Sequence, residues 1–268
     1  MRNLKQSIKN FLNFVIINIS RIGRLDLLYL AHKERGILRS GDFRTTGERI
    51  FIETTLAKIL DTDKPIIFDV GANTGNYSSY VRHIFPNSMI FSFEPNPTAF
   101  KVLESKSKTH SIHTFNVGLS SCNEHSEIYL YEDNDTTERA SLYTGGLKEL
   151  FGFPNPSKRA VELVRLDEFC RQHGIKHIDF LKIDTEGHEL EVLKGAGQML
   201  EDGSIKVIQF EFSMNNVISR IFLKDFYDLM PKYSFYRLKK SNLLPLRSYD
   251  PVNEIFVIHN IVAIFRPE

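Results

Sequence analysis

Three short stretches hold residues whose types and spacing could do chemistry. In Asp69-Val70-Gly71-Ala72-Asn73-Thr74-Gly75, an acid near the end of an apolar, β-branched run is followed by two glycines. Glycine lets a backbone turn sharply and lets a ligand approach it closely. The acid accepts hydrogen bonds but repels a phosphate, so the loop suits a cationic or zwitterionic ligand. The spacing Gly71-x-x-x-Gly75 is neither a dinucleotide fingerprint nor a P-loop. In Phe93-Glu94-Pro95-Asn96-Pro97, Glu94 stands about 20 residues beyond the glycine turn, the place from which an acid holds a ribose diol. In Asp184-Thr185-Glu186-Gly187-His188-Glu189, two carboxylates and an imidazole crowd one turn. His188 is suited to take a proton near neutrality, since an unperturbed imidazole titrates at about 6.5. Asp184 could orient that ring or take the proton itself, and Glu186 could bind substrate hydroxyls. The alternative for this block is structural, because Asp or Thr caps a following helix and Glu favours its N-terminus.

Each stretch follows a run that reads as a buried strand. Pro65 to Val70 precedes the first, Met89 to Phe93 the second and Ile178 to Ile183 the third. Tyr77 to Phe85, Thr98 to Lys106 and the Leu190, Leu193, Leu200 series have helical spacing. Ile112 to Val117 is expected as a third strand, with Asn116-Val117-Gly118-Leu119-Ser120 as the loop that closes it. Glu127 to Tyr131 alternates as an added ribbon, Val161 to Val164 reads as a short strand, and Leu166 to His173 reads as a helix capped by Asp167. Ile205 to Phe212 is a fifth core strand that carries Glu211 at its end. A helix over Val217 to Met230 and an antiparallel pair, Tyr233 to Leu238 with Ile255 to Phe265, complete the pattern. Strands alternating with helices predict a mostly parallel sheet covered on both faces. All three chemical stretches then lie at strand carboxyl ends, where open α/β sheets bind ligands.

The three blocks, taken together, resemble the signature blocks of the FkbM-type methyltransferases over about residues 65 to 212. The run Lys182-Ile183-Asp184-Thr185-Glu186-Gly187-His188-Glu189 is the most specific of them. The resemblance implies a Rossmann-like class I methyltransferase with a seven-stranded sheet and S-adenosylmethionine as cofactor. It also implies methyl transfer to a hydroxyl of a small molecule or glycan, with a sugar hydroxyl favoured. On that reading Asp69, Gly71, Asn73 and Gly75 serve the methionine end and Glu94 with Pro95 the ribose. The Asn116 and Val117 loop lies against the adenine, and His188, Asp184 and Glu186 face the acceptor. Some O-methyltransferases use a divalent cation. Asp184, Glu186 and Glu211 are hard oxygen donors, but no spacing demands a metal. The competing readings are a nicotinamide-dependent oxidoreductase, against which the Asp69 loop argues, and a non-catalytic binding module.

The 268 residues suffice for one large domain with an appendage, and 42% of them are hydrophobic. A formal charge of +1 gives no global field for nucleic acid, and 21 phenylalanines with no tryptophan read as core filling. Cys122 and Cys170 stand in no metal or redox spacing, which fits two buried thiols in a reducing cytoplasm. Residues 1–60 divide into helical pieces and read as a cap on the domain formed by residues 61–268. Their alternative role is a dimerisation or membrane-surface helix through residues 1–20. Phe11 to Ile19 is too short to span a bilayer. The aperiodic stretch Glu132 to Arg159 is expected to be an acceptor-binding segment or lid.

Overall fold

The computed structural model describes residues 2–38, 42–130, 141–143 and 157–267. Among these residues the main sheet has eight strands. They are β1 (Ile66–Val70), β2 (Met89–Phe93), β3 (His113–Phe115), β7 (Ile178–Ile183), β8 (Ile205–Phe212), β9 (Tyr233–Leu238), β10 (Leu243–Leu246) and β11 (His259–Phe265). Their order is β10-β9-β11-β8-β7-β1-β2-β3. The pairs from β8 to β3 are parallel, and β11 runs antiparallel between β8 and β9. A second sheet joins β4 (Gly118–Ser120), β6 (Ser157–Arg165) and β5 (Glu124–Leu130) in that order.

The central strands are apolar on both sides because helices cover both faces. Side chains alternate across the sheet, so neighbours in sequence enter different cores. Ile67 joins Phe180, Tyr77 and Val81 on one side, with Phe51, Ile52 and Leu56 from the helical run Glu48–Ile50, Phe51–Leu56 and Ala57–Leu60. Phe68 joins Phe93, Phe169, Leu193 and Phe210 on the other.

Several expectations change in detail. The sheet gains an eighth strand, Leu243–Leu246, from a stretch taken as a connection. It pairs only with β9, and an edge strand tolerates the Pro245 that hid it. The third strand is shorter than Ile112 to Val117, because Gly118–Ser120 leaves to pair with β6. The expected helix from Val217 to Met230 is two, Asn215–Ser219 and Leu223–Leu229, separated where Arg220 takes a φ of 57°. Asp167 does not cap its own helix. It accepts from the backbone N–H groups of Gln198 (3.0 Å) and Met199 (3.2 Å), at the start of Gly197–Glu201. Cys170 is buried as expected, but Cys122 is exposed.

The run from Glu48 to Leu60 packs on the sheet, Phe43 packs against the same core, and Gly36 lies against the Leu238 carbonyl of β9. The helices Arg2–Ile22 and Leu27–Glu34 leave large apolar side chains exposed. The segment expected to form a lid lies outside the described residues, apart from Ser141–Tyr143 and the start of β6.

Candidate active site

A cavity of about 640 Å³ opens at the carboxyl ends of β1, β2, β7 and β8. The loop after β1 forms its floor. Phe93, at the end of β2, accepts from the backbone N–H groups of both Gly71 and Ala72 at 3.0 Å. Gly71 takes a φ of 80°, and a Cβ there would stand 1.9 Å from the carbonyl oxygen of Asp184. Glycine is therefore required by conformation and by contact. Gly75, at φ 78°, starts the helix Asn76–Ile84 and packs on Leu103.

Glu94 joins the first two blocks. Its Oε2 accepts from the N–H of Asn73 at 2.8 Å, and its Oε1 from the N–H of Asn96 at 2.7 Å. Burial pushes its pKa up to about 7, against the two N–H bonds. A carboxylate offers about four lone-pair sites, so Glu94 keeps acceptor capacity on the wall of the cavity.

Asp69 is placed differently from the expectation. It is buried under the loop and does not line the cavity. Its carboxylate accepts from Ser78 Oγ and lies 3.7 Å from Lys182 Nζ. Burial raises its pKa. Lys182, itself buried, donates to Asp184 at 3.1 Å. Burial alone would lower the Lys182 pKa, but Asp184, Asp69 and Glu48 together raise it, so the ammonium stays charged. The Asp69 carboxylate acts from below, by fixing a helix and a lysine. Asn116 and Val117 do not line the cavity either. Asn116 Nδ2 donates to the carbonyls of Glu94 (2.8 Å) and Pro95 (3.1 Å), while Gly118 and Leu119 supply the wall.

The third block forms an adjoining wall, with Asp184, Glu186 and His188 all on it. Its turn is held by Glu189, whose Oε1 accepts from the N–H groups of Thr185 (2.9 Å) and Gly187 (3.1 Å). His188 makes no cap bond to the helix it precedes. Both its ring nitrogens are engaged: Nε2 with Ser120 Oγ at 2.9 Å and Nδ1 with Tyr143 OH at 3.2 Å. Burial lowers its pKa to about 4, so the ring is neutral at neutral pH. Asn215 Nδ2 donates to Glu186 Oε2. Glu211 lines the same cavity, and burial, then the charges of Asp184, Glu186 and Glu189, hold its pKa well above the usual carboxylate range. Among the described residues, no group of three or more His, Cys, Asp or Glu side chains could hold a metal ion.

Other walls were not apparent from sequence. Glu48 and Phe43 come from the N-terminal segment, and Ile128 and Leu163 from the second sheet. Glu48 is buried between Thr46 Oγ1 (2.7 Å) and Gln209 Nε2 (2.6 Å), and burial raises its pKa. In the sequence it reads only as an acid in the first turn of a helix.

The strand order and the reversed β11 define a Rossmann-like fold of the class I methyltransferase kind, with the cavity where such sheets bind ligands. The methyltransferase FkbM domain model matches residues 69–235, and the chain belongs to that family. It is 32% identical over 158 residues to the methyltransferase sdnD of Sordaria araneosa, covering 50% of this chain and 61% of that one. It is 23% identical over 193 residues to the 2-O-methyltransferase NoeI of Sinorhizobium fredii, covering 68% and 77%. It is 25% identical over 175 residues to the hexuronic acid methyltransferase AglP of Haloferax volcanii, covering 65% of each. The chain thus spans under two thirds of the length of the Sordaria and Haloferax proteins.

Proposed function

We propose that this chain is an S-adenosylmethionine-dependent O-methyltransferase whose acceptor is a hydroxyl of a sugar or sugar-like molecule. The observation that carries the reading is a cavity lined both by the glycine loop with Glu94 and by the carboxylates of Asp184, Glu186 and Glu211. The residues fit the cofactor. Glu94 retains acceptor sites for both ribose hydroxyls, and the backbone from Gly71 to Thr74 lies open to the amino-acid end. When bound, S-adenosylmethionine supplies an electrophilic methyl group on a sulfonium. The printed names of NoeI and AglP, a 2-O-methyltransferase and a hexuronic acid methyltransferase, support an oxygen acceptor and a sugar class.

The chain's own residues have two tasks: orienting the hydroxyl and receiving its proton. Asp184, paired with Lys182, and Glu186, fixed by Asn215, are acceptors for sugar hydroxyls. Glu211, which lines the same cavity, takes the proton, because a carboxyl whose pKa is raised by burial holds a proton more readily than an ordinary carboxylate. His188, itself on the wall, has both nitrogens engaged by Ser120 and Tyr143.

Calorimetry with S-adenosylmethionine and with NAD, then transfer of a labelled methyl group to a panel of sugars and uronic acids, tests this reading. Binding of the first cofactor alone and label on an acceptor oxygen are expected. NAD binding, or no transfer to any hydroxylated acceptor by a cofactor-loaded protein, would overturn it.

A further inference from the structure

The helix Arg2–Ile22 contributes nothing to the cavity and nothing to either core. Ile8, Phe11, Leu12, Val15, Ile19 and Ile22 recur at three- and four-residue steps, which sets them in an arc of about 100° on one side of the helix. Phe11 is 66% exposed and Ile22 86%. Lys9, Asn10 and Asn13 lie on the other side together with the exposed Ile17. Phe14 and Ile16 lie beyond the edges of the stripe, and only Ser20 among the described side chains of this helix is buried. The apolar surface continues through Leu25 and Leu28, both exposed. An exposed apolar stripe of this length implies something that covers it.

The charge pattern indicates what covers it. Residues 1–25 carry Arg2, Lys5, Lys9, Arg21 and Arg24 and no acid. The remaining residues hold 29 Lys and Arg against 33 Asp and Glu, a net of −4, so the excess of positive charge is confined to this segment. A second copy of the helix laid on this stripe would bring lysines and arginines together with no carboxylate to offset them. An anionic bilayer surface offers the opposite charge around an apolar layer, and an amphipathic helix lies in that interface with its basic side toward the headgroups. Among the described residues no helix is long and apolar enough to cross a membrane.

We infer that the helix Arg2–Ile22 docks the chain on the surface of an anionic lipid bilayer. The apolar stripe enters the headgroup boundary, and the lysines and arginines pair with lipid phosphates.

Flotation of the full chain with vesicles tests this. One set is phosphatidylcholine alone and the other contains about one third phosphatidylglycerol. Binding to the anionic set is expected, with release as sodium chloride is raised toward 1 M. Phe11→Asp should abolish flotation at unchanged melting temperature. Lys5→Gln and Lys9→Gln should each lower partitioning about fivefold. Failure of a folded preparation to float with anionic vesicles would overturn the inference. So would equal binding to both sets. A dimer in sedimentation that Phe11→Asp dissociates, without vesicle binding, would assign the face to a second copy and overturn it as well.

Discussion

The Glu94 carboxylate accepts from the backbone N–H of Asn73 at 2.8 Å, so the residue placed for the ribose also pins the glycine loop. The two functions are coupled through one ionisation. Burial raises the Glu94 pKa to about 7, which means the folded protein binds a proton that the unfolded chain has lost. Stability from this group is therefore fullest below about 4.5, its unfolded range, and declines as pH rises to about 7. Ribose hydroxyls donate to the ionised form, so cofactor affinity should run the other way and increase between pH 6 and 8. Glu94→Ala should weaken S-adenosylmethionine binding by about 1.5–3 kcal/mol. Calorimetry across this pH range checks both; an affinity unchanged in a folded variant would remove Glu94 from the ribose.

The two loop glycines should respond differently to alanine. At Gly75 the added Cβ meets the flexible tip of Leu103 at 2.6 Å, and the φ of 78° costs about 1–2 kcal/mol for an L-residue. At Gly71 the Cβ would overlap the Asp184 carbonyl at 1.9 Å, with no side chain free to move away. Gly71→Ala should lose more than about 3 kcal/mol and Gly75→Ala less. Urea denaturation of the two variants gives the ranking directly, and equal losses would contradict the contact.

Much of this site is legible in the sequence because its parts are local. A strand, a glycine turn and an acid one βα unit later follow from short runs of residue types, and Glu211 was visible as an acid at a strand end. What stayed hidden depends on tertiary placement. Asp69 looks like a loop acid, but Ser78 and Lys182 draw it into the interior. The alternation of Glu127 to Tyr131 revealed a ribbon, not that Ile128 would wall the cavity. The N-terminal helix was readable as amphipathic, yet its lack of a core partner was not, because a stripe facing a core and a stripe facing lipid have the same spacing.

Lys182→Met leaves Asp69 and Glu48 buried without their cation. Breaking a buried pair in this way costs about 3–5 kcal/mol. Both carboxyls already have raised pKa values from burial, and losing the ammonium raises them further. The stability deficit should shrink as pH falls and these groups protonate. Melting temperatures of parent and variant at pH 5 and 8 measure the difference; a deficit independent of pH would mean that packing over Tyr77, not charge, is what Lys182 supplies.

The identity of the proton acceptor can be read from a pH profile. His188 titrates at about 4 in the folded protein, against an ordinary 6.5. Its neutral form is favoured by folding, so stability linked to it is present above 6.5 and lost as pH falls toward 4. If His188 received the acceptor proton, kcat/KM for the acceptor at saturating cofactor would fall only near pH 4. Glu211, held well above the usual carboxylate range by burial and by Asp184, Glu186 and Glu189, predicts a loss of rate that sets in well above the ordinary carboxylate range. Saturating cofactor keeps the Glu94 ionisation out of this profile. Glu211→Gln should lower turnover by roughly 10²–10⁴-fold and remove that limb. His188→Ala should lower stability through loss of the Ser120 and Tyr143 bonds, with a smaller effect on turnover in the folded fraction and the limb intact. A near-parent rate in folded Glu211→Gln, together with a profile breaking near pH 4, would return the role to His188.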